Sequence, residues 1–177
     1  YKRQSSGTSV SQATAAASSS QNQSKYEANV ASVAGKMDNR VIAAYQQLGF
    51  KLVVDPSVNY SGYFDARSRS ITMKQIDDSV YHELGHFLAF IAGNVDKTAS
   101  FQSIFVAEKA NVTAFNKAYV TQNASEYFAE SVKDYILNNA SLKSTRPQTY
   151  AAVQNALNQI TDAQIAKIQK IYGAFWN

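Results

Sequence analysis

The 177-residue chain contains no cysteine. A disulfide framework is therefore excluded, and a domain of this size can bury enough core to do without one. The lack of thiols fits a bacterial secreted protein at least as well as a cytosolic one. No apolar run approaches the roughly 18 residues of a membrane span. No Lys/Arg cluster is longer than two residues, so the net charge of +4 is a mild basic excess. It indicates no nucleic-acid footprint. Histidine is scarce as well: His82 and His86 are the only two. The chain opens on Tyr1 rather than methionine, as a processed or trimmed form would.

What is present first is low complexity. Residues 1–23, "YKRQSSGTSVSQATAAASSSQNQ", are Ser, Ala, Gln and Thr with almost nothing large and apolar. Such a stretch cannot repay the entropy of packing. It reads as a linker or tether from a surface anchor, with an extension of the next helix as the alternative. It weakly favours a secreted or extracellular setting. The remainder, 24–177, reads as one domain.

That domain is expected to open with a long amphipathic helix. Ser24 and Glu27 fit a capping box, and Tyr26, Val30, Val33, Met37, Val41, Tyr45 and Leu48 recur at helical spacing. Gly49 sits where a helix-terminating glycine belongs. Residues 50–55 are a strand candidate closed by Pro56, and 62–74 a hairpin. The next helix spans roughly 78–92, ended by Gly93-Asn94. Beyond it the pattern stays helical: short segments near 98–109 and 111–118, then 124–139. A helix capped by Thr145 is expected to run to about 159, and one opened by "TDAQ" from 161 through Ala174. The fold class expected is α+β and mostly helical, with one small sheet packed by the histidine-bearing helix.

That helix reads "DDSVYHELGHFLAFIAGN". Residues four apart share a helix face, so His82 and His86 can offer two imidazoles to one ion. Zinc acidifies water, and Glu83 is placed to take the proton rather than to complete the ligand set. Val80, Leu84, Phe87, Leu88 and Ile91 form an apolar stripe with the histidines at its edge. Gly85 costs the helix roughly 1 kcal/mol against alanine. Close approach by another element would explain it. The competing reading is a pair of hydrogen-bonded histidines on an ordinary helix. It is the weaker, because the chain places both its histidines here.

No third histidine exists, so a further ligand must be a carboxylate. Glu126 and Glu130 in "NASEYFAESVKDYI" lie four apart among apolar neighbours. Ordinary roles compete for both. Glu126 fits a capping box begun at Asn123, and Glu130 can pair with Lys133. Asp77, Asp78, Asp96 and Glu108 are lesser candidates.

The pairing of HELGH with "YVTQNASEYFAES" resembles the catalytic domain of anthrax lethal factor and its small secreted relatives, the Pro-Pro endopeptidases. The likeness runs over roughly residues 60–136. It implies a zincin-like fold and a secreted, zinc-dependent endopeptidase holding one zinc ion. His82, His86 and Glu126 would be ligands, and Glu83 the general base. Tyr119, seven residues before Glu126, would donate to the oxyanion. Glu130 would orient a ligand histidine. The resemblance also implies a peptide or protein substrate lying extended along an exposed strand. The strand at 69–74 is where that edge is expected, with Tyr63, Arg67, Arg69, Ser70, Ile71 and Thr72 about it. The hairpin "DARSRS" and Ser125 depart from the Pro-Pro endopeptidase pattern, which leaves cleavage at Pro-Pro open. A monomer is expected. The rival function is a toxin-like or surface-binding domain keeping a structural zinc.

Overall fold

A computed structural model describes residues 24–176. The linker expected over 1–23 lies outside the described residues. The chain forms a mostly helical α+β domain with a four-stranded mixed sheet. Among these residues no helix is long and apolar enough to cross a membrane.

The long opening helix does not form. Tyr26–Ala28 is a strand, β1, and Val30–Val33 a single helical turn, α1. A separate helix, α2, spans Asn39–Gln47. Two local caps divide the segment. The Asn29 side chain accepts from the Ser32 amide at 3.1 Å, and that of Asp38 from the Arg40 amide at 2.9 Å. Tertiary pairing decides the rest, since β1 runs antiparallel to the next strand with Tyr26 opposite Val54. The apolar spacing still marks the core: Val30, Met37, Val41, Tyr45 and Leu48 are all buried.

Helix α2 ends as expected at Gly49, whose φ of 73° only glycine adopts freely. The Phe50 amide reaches the Tyr45 carbonyl and the Gly49 amide the Gln46 carbonyl, both at 3.0 Å. These are the two bonds of a Schellman motif. The chain is thereby aimed into β2 (Lys51–Val54).

Strands β3 (Gly62–Asp65) and β4 (Ser70–Met73) form the hairpin. The sheet order is β1-β2-β4-β3, with β4 parallel to β2 and antiparallel to β3. The edge beside the hairpin is therefore β3, which corrects the expectation that residues 69–74 supply it. Strand β4 lies inside the sheet and has no free edge to offer. Its Ile71 is fully buried.

Helix α3 (Ser79–Ile91) packs under β3 and β4, and Phe50, Phe64, Phe87 and Phe90 meet beneath the sheet in edge-on and stacked contacts. Short elements follow: a 3₁₀ turn at Val95–Lys97, α4 (Ala99–Glu108), a 3₁₀ turn at Lys109–Asn111, and α5 (Lys117–Val120). Then come α6 (Ala124–Leu137), α7 (Asn139–Thr145), α8 (Pro147–Asn158) and α9 (Asp162–Trp176). Thr145 does not cap α8. Its hydroxyl bonds the Ser141 carbonyl at 2.7 Å and closes α7. The buried carboxylate of Glu108 caps α8 instead, accepting from the Gln148 and Thr149 amides at 3.0 and 2.9 Å.

The contact that positions the site is α3 against α6. A Cβ on Gly85 would lie 2.7 Å from both the Cα and the carbonyl oxygen of Ala129. The glycine thus lets two helix backbones touch. Glu126 and Glu130, one turn apart on α6, are set directly across from His82 and His86.

Candidate active site

His82 and Glu83 are both buried within α3. The Nδ1–H of His82 donates to Glu130 Oε2 at 2.8 Å, and its Nε2 faces Glu126 Oε2 at 3.1 Å. His86 Nε2 lies 3.6 Å from the same Glu126 oxygen. The two imidazole rings stand nearly at right angles, 4.9 Å apart.

Among the described residues, His82, His86 and Glu126 are the one group whose ligating atoms converge as a metal would need, all within 4.8 Å of one another. A tetrahedral ion with bonds of about 2.0–2.1 Å needs donors roughly 3.3 Å apart, so the spacing suits zinc. The donor chemistry suits it as well: two nitrogens and one carboxylate, with the second nitrogen of His82 already committed to Glu130. The capping box expected at Glu126 forms only in its backbone half. The Glu126 backbone amide is capped, donating to Asn123 Oδ1 at 2.9 Å, while its carboxylate turns to the histidines. Glu130 also meets Lys133 Nζ at 3.4 Å.

The lesser carboxylates lie outside this group. Asp77 accepts from the Ser79 amide at the start of α3, and Asp78 precedes that helix without a side-chain cap. Asp96 is buried against the Ser125 hydroxyl, and Glu108 caps α8.

The charges reinforce one another. Burial opposes a cation on His82, but hydrogen bonds to Glu126 and Glu130 outweigh it and raise the pKa to about 9. Burial also opposes the Glu126 anion, yet bonds from His82 and His86 hold its carboxyl far below the usual range. Glu130 is lowered too, its bond to His82 overcoming burial. Glu83 goes the other way. Burial raises it, despite both histidines, and leaves a carboxylate more avid for a proton than one in water.

Tyr119, on α5, stands across the cleft and is just over half exposed. Partial burial and the neighbouring Glu126 charge raise its pKa, so it stays a protonated donor at neutral pH. A cavity of about 300 Å³ lies between it and the sheet, lined by Tyr60, Ser61, Gly62, His82, Glu83, Asn116, Tyr119 and Lys133 among others. A second, of about 210 Å³, lies on the His86 side with Phe64, Asn94, Asp96, Lys97 and Ser125 in its wall.

The hairpin residues expected at the cleft are mostly elsewhere. Arg69 turns away, donating to the carbonyls of Leu48 and Trp176 at 3.3 Å each. Ile71 is in the core, and Ser70 and Thr72 belong to the interior strand. Arg67 is exposed at the hairpin turn. Tyr63 reaches the site only through its ring contact with Tyr60, 5.9 Å away. The residues that do line it, Ser61 and Gly62, belong to β3 and the approach to it. A glycine within a strand was the one available signal, since it often marks close approach.

Residues 66–156, just over half of the chain, match the family described as anthrax toxin lethal factor, N- and C-terminal domain. A Pro-Pro endopeptidase of Clostridioides difficile (strain 630) is 40% identical over 78 residues. That stretch covers 42% of this chain and 34% of that protein, so the likeness spans about a third of the relative's length. The chain belongs to the anthrax toxin lethal factor family.

Proposed function

We propose that the protein is a zinc-dependent endopeptidase that acts outside the cell, as a monomer, on exposed segments of other proteins. The observation that carries this reading is convergence. Three side chains that could hold a metal, a buried carboxylate and a phenol lie together beside a sheet edge that is unpaired among the described residues. Family membership and the named peptidase relative support it.

His82, His86 and Glu126 would hold the ion. Bound there, zinc would supply a Lewis acid that polarises a carbonyl and lowers the pKa of water. Every other task falls to side chains. Glu83 would take a proton from the attacking water and return it to the leaving amine. Its raised proton affinity suits both steps. Tyr119 would donate its hydroxyl hydrogen to the oxygen that gains charge as the carbonyl becomes tetrahedral. Glu130 would keep the Nδ1–H of His82 engaged and so fix its ring.

The open edge of β3 would hold the substrate. The Lys74 amide donates to the Ser61 carbonyl at 3.0 Å, which makes this a hydrogen-bonded pair. Alternation along an antiparallel ladder then turns the backbone groups of Tyr63 inward and those of Gly62 and Phe64 outward. An extended peptide could pair with the outward groups of Gly62 and with the Phe64 carbonyl, the Phe64 amide facing Glu83.

Incubation of the zinc-loaded protein with a peptide library rich in proline-containing sequences, with sequencing of the cut sites, tests the reading. Internal cleavage is expected, and Glu83→Gln should retain zinc while losing about 10²–10⁴-fold in rate. A zinc-loaded protein that cuts nothing would overturn the peptidase reading. An unimpaired Glu83→Gln would remove the base.

A further inference from the structure

Side chains alternate across a strand, so Gly62 and Phe64 address one face of β3 and Tyr63 the other. Phe64 packs against Phe87 and Phe90 of α3, which identifies that face as the one turned to the helix. A side chain at position 62 would therefore point at α3 as well. The place it would take is occupied. A Cβ built on Gly62 would lie 2.6 Å from Glu83 Oε1, 2.7 Å from its Cγ and 2.9 Å from its Cδ. Such distances cannot persist, so either the strand or the carboxylate would have to move.

The backbone gives no other reason for glycine here. Gly62 lies within β3, and the positive-φ glycines are Gly49 and Gly93. Its extended conformation is open to any residue. Glycine in a strand sacrifices entropy and contributes no packing, so alanine would otherwise be neutral or favourable. What excludes a side chain is Glu83. On its other flank Glu83 is fixed in α3, where Gly85 lies against Ala129. The carboxylate therefore stands in a slot between edge strand and helix, and the Phe64 amide faces it from the same open edge.

We propose that Gly62 is the positioning residue for Glu83: the missing side chain leaves the space in which the carboxylate stands upright between β3 and the metal donors. The inference rests on the proposed peptidase function for its kinetic consequence only. Its structural content is independent of it.

Gly62→Ala and Gly62→Val test it together, alongside the parent. Both should bind zinc as the parent does, with Gly62→Ala keeping its melting temperature. Crystal structures should show the Glu83 carboxylate displaced from its place beside the strand. Turnover should fall roughly 10²-fold for Gly62→Ala, as a misplacement of about 1 Å can cause, and further for Gly62→Val. KM should change little, because the edge that binds the peptide keeps its backbone groups. If Gly62→Val fails to fold, Gly62→Ala carries the test. An unmoved Glu83 carboxylate in Gly62→Ala would overturn the proposal, and so would an unchanged kcat. Should the parent itself cut no peptide, the functional reading fails, and the position of Glu83 in the variant structure still decides the role of Gly62.

Discussion

The cleft has two halves built on opposite physical terms. The floor is the seam between α3 and α6, where His82, Glu83 and Glu130 are buried and their charges constrain one another. The rim is β3, the approach to it and α5, where Tyr60, Tyr63 and Tyr119 are substantially exposed and backbone groups lie open. On the floor His82, Glu126 and Glu130 hold one another in fixed contacts, because a buried charge without a partner is costly. On the rim polar groups can be left to water until a ligand arrives. The floor is thus organised before anything binds, and the rim is organised to be covered. Damage to the floor residues that hold or orient the ion, His82, His86, Glu126 and Glu130, should cost metal affinity, while damage to Glu83 should cost turnover alone. Damage to the rim should cost turnover or substrate while leaving the metal in place.

The sharpest break should come from Glu126→Ala. It removes the carboxylate that contacts both histidines, so the purified variant should hold almost no zinc where the parent should hold about one per chain. Elemental analysis after gel filtration reads this directly, and full zinc retention would refute the ligand assignment. Tyr119→Phe comes next and tests the rim. Zinc content should be unchanged and kcat should fall about 10²–10³-fold, the usual loss on removing one oxyanion donor. An unaltered kcat would take Tyr119 out of the chemistry.

The smallest effect expected belongs to the support of the floor. Glu130→Gln should weaken zinc binding by about 10–100-fold without abolishing it, measured with a competing chelator. The pH dependence refines this. In the metal-free protein His82 is raised to about 9, so zinc must displace a proton below that pH. Apparent affinity should climb with pH and level off near 9, and Glu130→Gln should bring the plateau to lower pH. Stability of the metal-free form runs in the opposite sense. A histidine whose folded pKa lies above its unfolded 6.5 contributes fully below that value, and the contribution disappears as pH rises through about 9. A plateau unmoved by Glu130→Gln would mean that Glu130 does not govern the His82 proton.

Local chemistry makes much of the domain readable. Gly49 and Gly93 end their helices where expected, and Pro147 opens α8. Thr161 caps α9, accepting from the Gln164 amide at 3.2 Å. These features depend on residues a few positions apart. The departures share a different cause. The 24–48 segment carries helical spacing and even a capping box, yet pairing with β2 claims Tyr26–Ala28 for the sheet. Thr145 has the right chemistry for a cap, but Glu108, from a different helix, takes the position. Strand β4 reads as an edge because sequence order says nothing about which strand of a hairpin inserts beside β2. Each of these outcomes is settled by a partner distant in the chain.

The site divides along the same line. Helical periodicity alone puts His82 and His86 on one face with Glu83 beside them, and puts Glu126 and Glu130 on one face of another helix. Backbone hydrogen bonding fixes that geometry within a single turn. What no spacing could supply is that the two faces meet, that Gly85 and Ala129 bring them close enough for three donors to converge, and that Gly62 leaves space for the base. Those are statements about excluded volume between segments far apart in the chain, and only the packed chain decides them.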